Sequence, residues 1–302
     1  MNNLLAEYYR LLAWFDTLPI SPEGLILIAL LLISLMAALV VLARNWRALA
    51  SPADTGGDLG VIFDNPGSLM PHIIELRDRL IKSAVSIVVA AFIAAAFTRQ
   101  IIVLLAEPVG GRDAIQAIRV TEPFGIFFRV SITLGIILAS PYVIAQLWVF
   151  TAVGLKPSER RLFYFLFPFA VILFVTGVAF AYLVMLPVAV PFLVNFMGIN
   201  ATPTLEDYLK FVTNALLWVG ASFEMPLITF VLAKAGIVNA KMLFQNWRIA
   251  IVLIAVLAAV VTPTPDPINM GIVAAPLFLL YLLSIVMAFF AQRRDKKPAE
   301  PG

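Results

Sequence analysis

The 302-residue sequence has no cysteine and a single histidine, His72. Neither a disulfide framework nor a thiolate nucleophile is open to it, and a multi-histidine metal site is excluded. Charge is scarce: 13% of residues are Asp, Glu, Lys or Arg, against roughly a quarter in soluble domains. There is no phosphate-cradling glycine loop, no GxSxG elbow and no close pair of carboxylates for acid–base work. These absences argue against an enzyme and against a bound cofactor or metal, and the net charge of +3 suggests no nucleic-acid partner. What the chain has instead is apolar bulk. Hydrophobic residues make up 62% of it and mean hydropathy is +0.99, which excludes disorder and a soluble globular domain alike.

A bilayer core of about 30 Å needs roughly 20 apolar residues in a helix. Seven runs qualify or nearly so. They are Gly24 to Ala43, Ser83 to Thr98 with an extension past Arg99 to Ala106, Val130 to Leu155, Leu162 to Leu186, Phe211 to Ala233, Ile249 to Val261, and Ile268 to Gln292. The fourth lies in a longer uncharged stretch, where Pro187, Pro191 and Pro203 predict a loop after Leu186. The sixth is short: its 13 residues cover roughly 20 Å, so either the Thr-Pro segment dips into the membrane or the bilayer thins there. The fold class is therefore an all-α polytopic membrane protein. Residues 1–50 form an extension with one span, 51–68 a Gly, Pro and Asp-rich linker, 69–292 a six-span domain and 293–302 a tail. A cleaved signal peptide is the weaker reading of the first run, which is long and is preceded by Glu7, Asp16 and Glu23 rather than by basic residues. Because the linker separates it from every motif below, the first span is expected to be dispensable for binding.

Lys and Arg orient the spans. With the N-terminus outside, 15 of the 21 fall on the cytoplasmic side. The C-terminus is then cytoplasmic.

Five places carry ionisable or turn-forming residues of interest. In the segment from His72 to Leu80, Ile73, Leu76 and Leu80 recur at helical spacing, and Glu75 stands one turn before Arg79. Its plain reading is a headgroup anchor. Lys156 to Arg161 is a cytoplasmic hairpin in which Ser158 would cap the next helix and Glu159 would favour its dipole. Glu224 lies within a span, where a charge costs about 2.5 kcal/mol or more, so it is expected to face a cavity or the bundle interior. Asp266 lies between prolines, with Pro267 predicted at the first position of the last helix. At Glu122-Pro123-Phe124 the expectation is a turn with Phe124 at the interface.

Taken in order, these segments resemble the TatC family, the receptor subunit of the twin-arginine protein translocase. The residues that carry the likeness are HIIELRDRL from His72, Glu122-Pro123-Phe124, Ser140-Pro141, Gln146 to Phe150, Ser158 to Arg161, Phe174 to Pro187 with Tyr182, Ser222 to Pro226, and Thr262 to Asp266. The resemblance implies a six-helix, glove-like body with both its ends cytoplasmic, and hence one extra N-terminal span here. It implies a non-enzymatic receptor in the inner membrane, driven by the proton-motive force, that binds twin-arginine precursors. Its implied partners are TatA-type and TatB-type single-span proteins and further copies of itself. Glu75 and Glu159 would hold the arginine pair, with Phe150 nearby. Glu224 would face the concave side, and Pro141, Tyr182 and Asp266 would serve structural or loop roles. Many members carry a carboxylate after the tyrosine of the last helix, where this chain has Leu282 after Tyr281. The alternative is a proton-coupled small-solute carrier using Glu224 and Asp266. The absence of a visible internal repeat weakens it.

Overall fold

A computed structural model describes residues 31–44, 69–153, 157–194, 202–234, 236–262 and 267–293. Helices dominate: α1 Leu31–Arg44, α2 Leu69–Ala95, α3 Thr98–Ala106, α4 Glu122–Val153, α5 Pro157–Phe180, α6 Leu186–Val194, α7 Leu205–Ser222, α8 Met225–Lys234, α9 Ala240–Gln245, α10 Trp247–Val261 and α11 Pro267–Arg293. Among the described residues the extended pairing is one isolated bridge, Gln116 to Thr204.

Four stretches are long and apolar enough to cross a membrane: 122–151, 164–194, 205–234 and 270–292. The bent pair α2–α3 passes the same test only when its two halves are taken together, and α1 and α10 are shorter apolar helices. Large apolar side chains such as Phe92, Leu183 and Leu279 are exposed on the outer surface, as a lipid solvent allows. Lipid also removes most of the hydrophobic drive between helices, so close backbone approach must supply the packing. Glycines provide it. A Cβ on Gly135 of α4 would stand 2.7 Å from the Ala91 backbone of α2. One on Gly177 of α5 would stand 2.8 Å from the Phe223 ring and 2.9 Å from the Cα of Gly220.

Two expected helix boundaries move. The second run does not continue straight past Arg99. It turns by 80° at Ala96–Phe97, where the amides of both residues bond back three positions. Thr98 fixes the corner, its hydroxyl sharing a hydrogen bond with Ser131 of α4 at 2.7 Å. The turn leaves Arg99 exposed rather than inside a span.

The fourth run does not end at Leu186. A π-helical turn, Ala181–Met185, joins α5 to α6, and the helix passes through Pro187 and Pro191 to Val194. A proline lacks the amide that an α-turn needs and crowds the carbonyl four residues back; a wide turn just before it relieves that crowding. Ser158 is likewise not a cap, because α5 already starts at Pro157, where a missing amide is harmless. Pro267 does begin α11.

The core has two main parts. Leu209, Val212 and Val219 of α7 pack with Leu186, Val190, Val273 and Leu277 in the larger. The smaller joins Trp148 and Val149 of α4 and Phe167 of α5 to Ala38 and Leu42 of α1. The N-terminal helix therefore does not stand apart from the body, as the linker suggested; it is seated against it.

Candidate functional site

Residues Glu75, Arg77, Asp78 and Arg79 place four charges of both signs within little more than one turn of α2. Arg77 and Asp78 pair with each other at 2.9 Å on the exposed side. Glu75 and Arg79, one turn apart, lie on the inner side. The Arg79 Nε donates to Glu75 Oε1 at 2.9 Å, and Arg79 Nη1 crosses to Gln146 Oε1 of α4 at 3.3 Å. The Arg79 side chain is 13% exposed and that of Glu75 31%. Beside this pair is a polar cavity of about 530 Å3, lined also by Asp78, Lys82, Tyr142 and Arg44. Two carboxylates and three cations thus share one recess, and the charge of Glu75 is already answered from within the chain.

Phe150 follows Gln146 by one turn on α4 and is half-buried. Glu159 belongs to the first turn of α5, but its side chain lies outside the described residues, as does the whole of Asp266. The i,i+4 spacing made the Glu75–Arg79 pair readable in advance. Tyr142 and Arg44 had no such signal, because their nearness to Glu75 comes from packing between helices far apart in sequence; Gln146 was visible only as part of a motif.

Glu224 sits in a two-residue break between α7 and α8. Its carbonyl receives the amides of Leu227 and Ile228, which starts α8, so Pro226 falls in the first turn where its missing amide is harmless. Its side-chain Oε1 is buried and has no hydrogen-bond partner. Phe223, beside it, stacks against Phe180 at 5.5 Å over the Gly177–Gly220 approach. The carboxylate is thus held at a deliberate discontinuity of a span, not along a smooth helix face.

The remaining residues of interest have local duties. Pro141 lies inside α4 and offers no amide to the Ile137 carbonyl; the Ser140 hydroxyl donates to that carbonyl instead, at 2.7 Å. Tyr182 lies in the π turn rather than in a loop. Its hydroxyl donates to the Leu104 carbonyl at 2.8 Å, near the end of α3, while Tyr208 donates to that of Leu105 at 2.7 Å. Glu122 accepts the amides of Ile118 and Arg119; Glu122-Pro123-Phe124 is not a separate turn but the first turn of α4, and Phe124 on it is 70% exposed.

Comparison with known proteins bears on all of this. The family model described as Sec-independent protein translocase protein (TatC) matches residues 71–276. A curated relative of that name from Carboxydothermus hydrogenoformans is 37% identical over 235 residues, covering 77% of this chain and 97% of the relative. One from Deinococcus radiodurans is 37% identical over 247 residues, covering 76% and 90%. A crystal structure of the twin-arginine translocase receptor TatC superposes with a TM-score of 0.67 at 32% identity, covering 74% of this chain and all of that one. Matched over most of its length in sequence and in helix arrangement, the chain belongs to the TatC family.

Proposed function

We propose that the chain is the receptor subunit of the twin-arginine translocase, binding the signal peptide of folded precursors and organising their export under the proton-motive force. The observation that carries this reading is Glu75. It already accepts a guanidinium, that of Arg79, and it borders an open polar cavity. A guanidinium presents a planar fork of donors that a carboxylate takes up in parallel bonds, which a lysine ammonium cannot match. An incoming arginine would exchange with Arg79, which keeps Gln146 as a second partner. Glu159 and Phe150 complete the patch in this reading.

In the same reading the protein lies in the inner membrane with seven spans, α1 being additional to the six of the family. The N-terminus is extracytoplasmic, and the Glu75 end of α2 faces the cytoplasm. TatA-type and TatB-type proteins and further copies of the chain are its partners, with Glu224 serving transport rather than docking. Family membership leaves the solute-carrier alternative without support.

The test is a photocrosslink from position 75 or 159 to a peptide bearing the arginine pair. Capture is expected, with much weaker capture of a twin-lysine peptide. Equal capture of both, or of neither, rejects the assignment.

A further inference from the structure

The N-terminal helix lies outside the stretch matched by the family model, residues 71–276, and with α2 and α4 it encloses two cavities that meet. One is the polar recess at Glu75; the other is an apolar cavity of about 440 Å3. Lys82 and Tyr142 line both, so they mark the junction. Beyond it the walls are aliphatic or small: Val85, Val89 and Ile93 of α2, Ile33 and Ala37 of α1, and Leu138 of α4. From Lys82 to Ile93 α2 rises about 16 Å, and half of a bilayer core is about 15 Å. The apolar cavity is therefore one leaflet deep, too short for a helical span and long enough for an acyl chain.

The charges at the polar end do not cancel. Glu75 is held by Arg79 and Asp78 by Arg77. Among the described residues no ion pair takes in Lys82 or Arg44, the two remaining cations of the recess. Both are exposed, one on α2 and one on α1. Tyr142 adds an amphipathic ring at the boundary, the kind of side chain that sits at headgroup level. Two uncompensated cations beside an aliphatic cavity one leaflet deep are complementary to an anionic head carrying hydrocarbon. A zwitterionic head brings an amine that these same cations repel, so the complement carries net negative charge.

We propose that the cleft between α1 and α2 is a binding site for an anionic phospholipid. Its phosphate lies between Lys82 and Arg44, and one acyl chain lies along Val85, Val89 and Ile93. The lipid then joins α1 to α2 through its phosphate. The site does not rest on the receptor reading above.

The test uses the full chain in nanodiscs of equal parts phosphatidylglycerol and phosphatidylcholine. A photoreactive residue replaces Val85, and the adducts are identified by mass. Phosphatidylglycerol is expected to be captured about tenfold or more over phosphatidylcholine, as two cations near a membrane surface can supply. Lys82→Ala is expected to cut that preference by about fivefold and Arg44→Ala by a similar factor, while Lys82→Arg keeps it. Both side chains are exposed, so neither change threatens the fold. Lys241→Ala removes an exposed cation that lines neither cavity and is expected to leave the preference unchanged. Capture of the two lipids in proportion to their abundance would show an annular contact only and overturn the proposal. So would a preference that survives loss of both cations. A preference lowered as much by Lys241→Ala as by Lys82→Ala would trace it to the charge of the whole face and overturn it too. Adducts with polypeptide alone would assign the cleft to a protein segment, with the same consequence.

Discussion

Arg79 reaches Glu75 through two of its nitrogens, Nε at 2.9 Å and Nη2 at 2.5 Å, both on the same carboxylate oxygen. Arg79 does not use the second carboxylate oxygen, Oε2, and Glu75 lines a polar cavity. An incoming guanidinium would exchange with Arg79 on a carboxylate that this bond already holds in place.

Replacing Glu75 by alanine removes the acceptor and strands Arg79 with Gln146 alone. Charge-assisted hydrogen bonds are worth about 1.5–3 kcal/mol where partly shielded. Affinity for a twin-arginine peptide is expected to fall by about tenfold or more, and for a twin-lysine peptide hardly at all. Anisotropy titrations at two salt concentrations check it, because the variant should also lose much of the salt dependence shown by the wild type.

Arg44 brings a cation of the N-terminal helix to the same recess. Its side chain is exposed, so repulsion of an incoming arginine is screened and worth no more than about 1 kcal/mol. Arg44→Ala is expected to raise affinity for a twin-arginine peptide by up to about fivefold, with Arg44→Lys close to wild type. A lower affinity in the alanine variant would mean that Arg44 contributes to docking instead of opposing it.

Glu224 has an unpartnered buried oxygen at a break in its span. Glu224→Ala is expected to slow precursor export by about tenfold or more while leaving peptide binding within about twofold, since the proposed reading places binding at Glu75. Glu224→Gln, which keeps the shape and hydrogen-bonding capacity, is expected to be milder. Export assays in membrane vesicles, paired with binding titrations, separate the two effects.

Ser140 supplies the hydrogen bond that Pro141 cannot. Ser140→Ala leaves the Ile137 carbonyl unsatisfied in a water-poor interior, a loss of about 1–3 kcal/mol. The double variant Ser140→Ala with Pro141→Ala restores an amide donor and is expected to recover most of the stability. Thermal unfolding in detergent reads both.

Cysteines placed at Asn3 and Glu300 check the topology. A membrane-impermeant reagent is expected to label the first in intact cells and not the second. The opposite pattern would invert the orientation, which the sequence reading drew by assigning 15 of the 21 Lys and Arg residues to the cytoplasmic side.

The long spans were readable because lipid imposes a length and a composition on any helix crossing it, and α4, α7–α8 and α11 obey both. The Glu75–Arg79 bond was readable because it is local to one helix. The 80° corner at Ala96–Phe97 was not, because neither residue is a helix breaker; the corner is held by Thr98 bonding across to Ser131, which no local pattern reports. The loop expected after Leu186 failed for the converse reason. Pro187 and Pro191 are breakers in an ordinary α-helix, but the π turn at Ala181–Met185 changes the backbone they interrupt. The recess around Glu75 was half readable: its α2 residues follow from spacing, while Arg44 and Tyr142 arrive through tertiary packing alone.

The π turn has a further effect on the helix beyond it. It accommodates one residue more than an α-turn, and each residue of an α-helix accounts for about 100° of rotation. Every side chain from Leu186 to Val194 is therefore turned by about that angle relative to an uninterrupted helix. Leu186, Ala189 and Val190 face the bundle because of this phase shift, and Val188 faces outward for the same reason. Removing one residue between Ala181 and Met185 would remove the π turn and rotate its far third by about 100°, re-aiming the side chains at protein and lipid while leaving its composition, and so its hydropathy, almost unchanged. The sequence of this helix thus encodes two phases in one apolar run, and a single-residue length change is the mutation to which it is least indifferent.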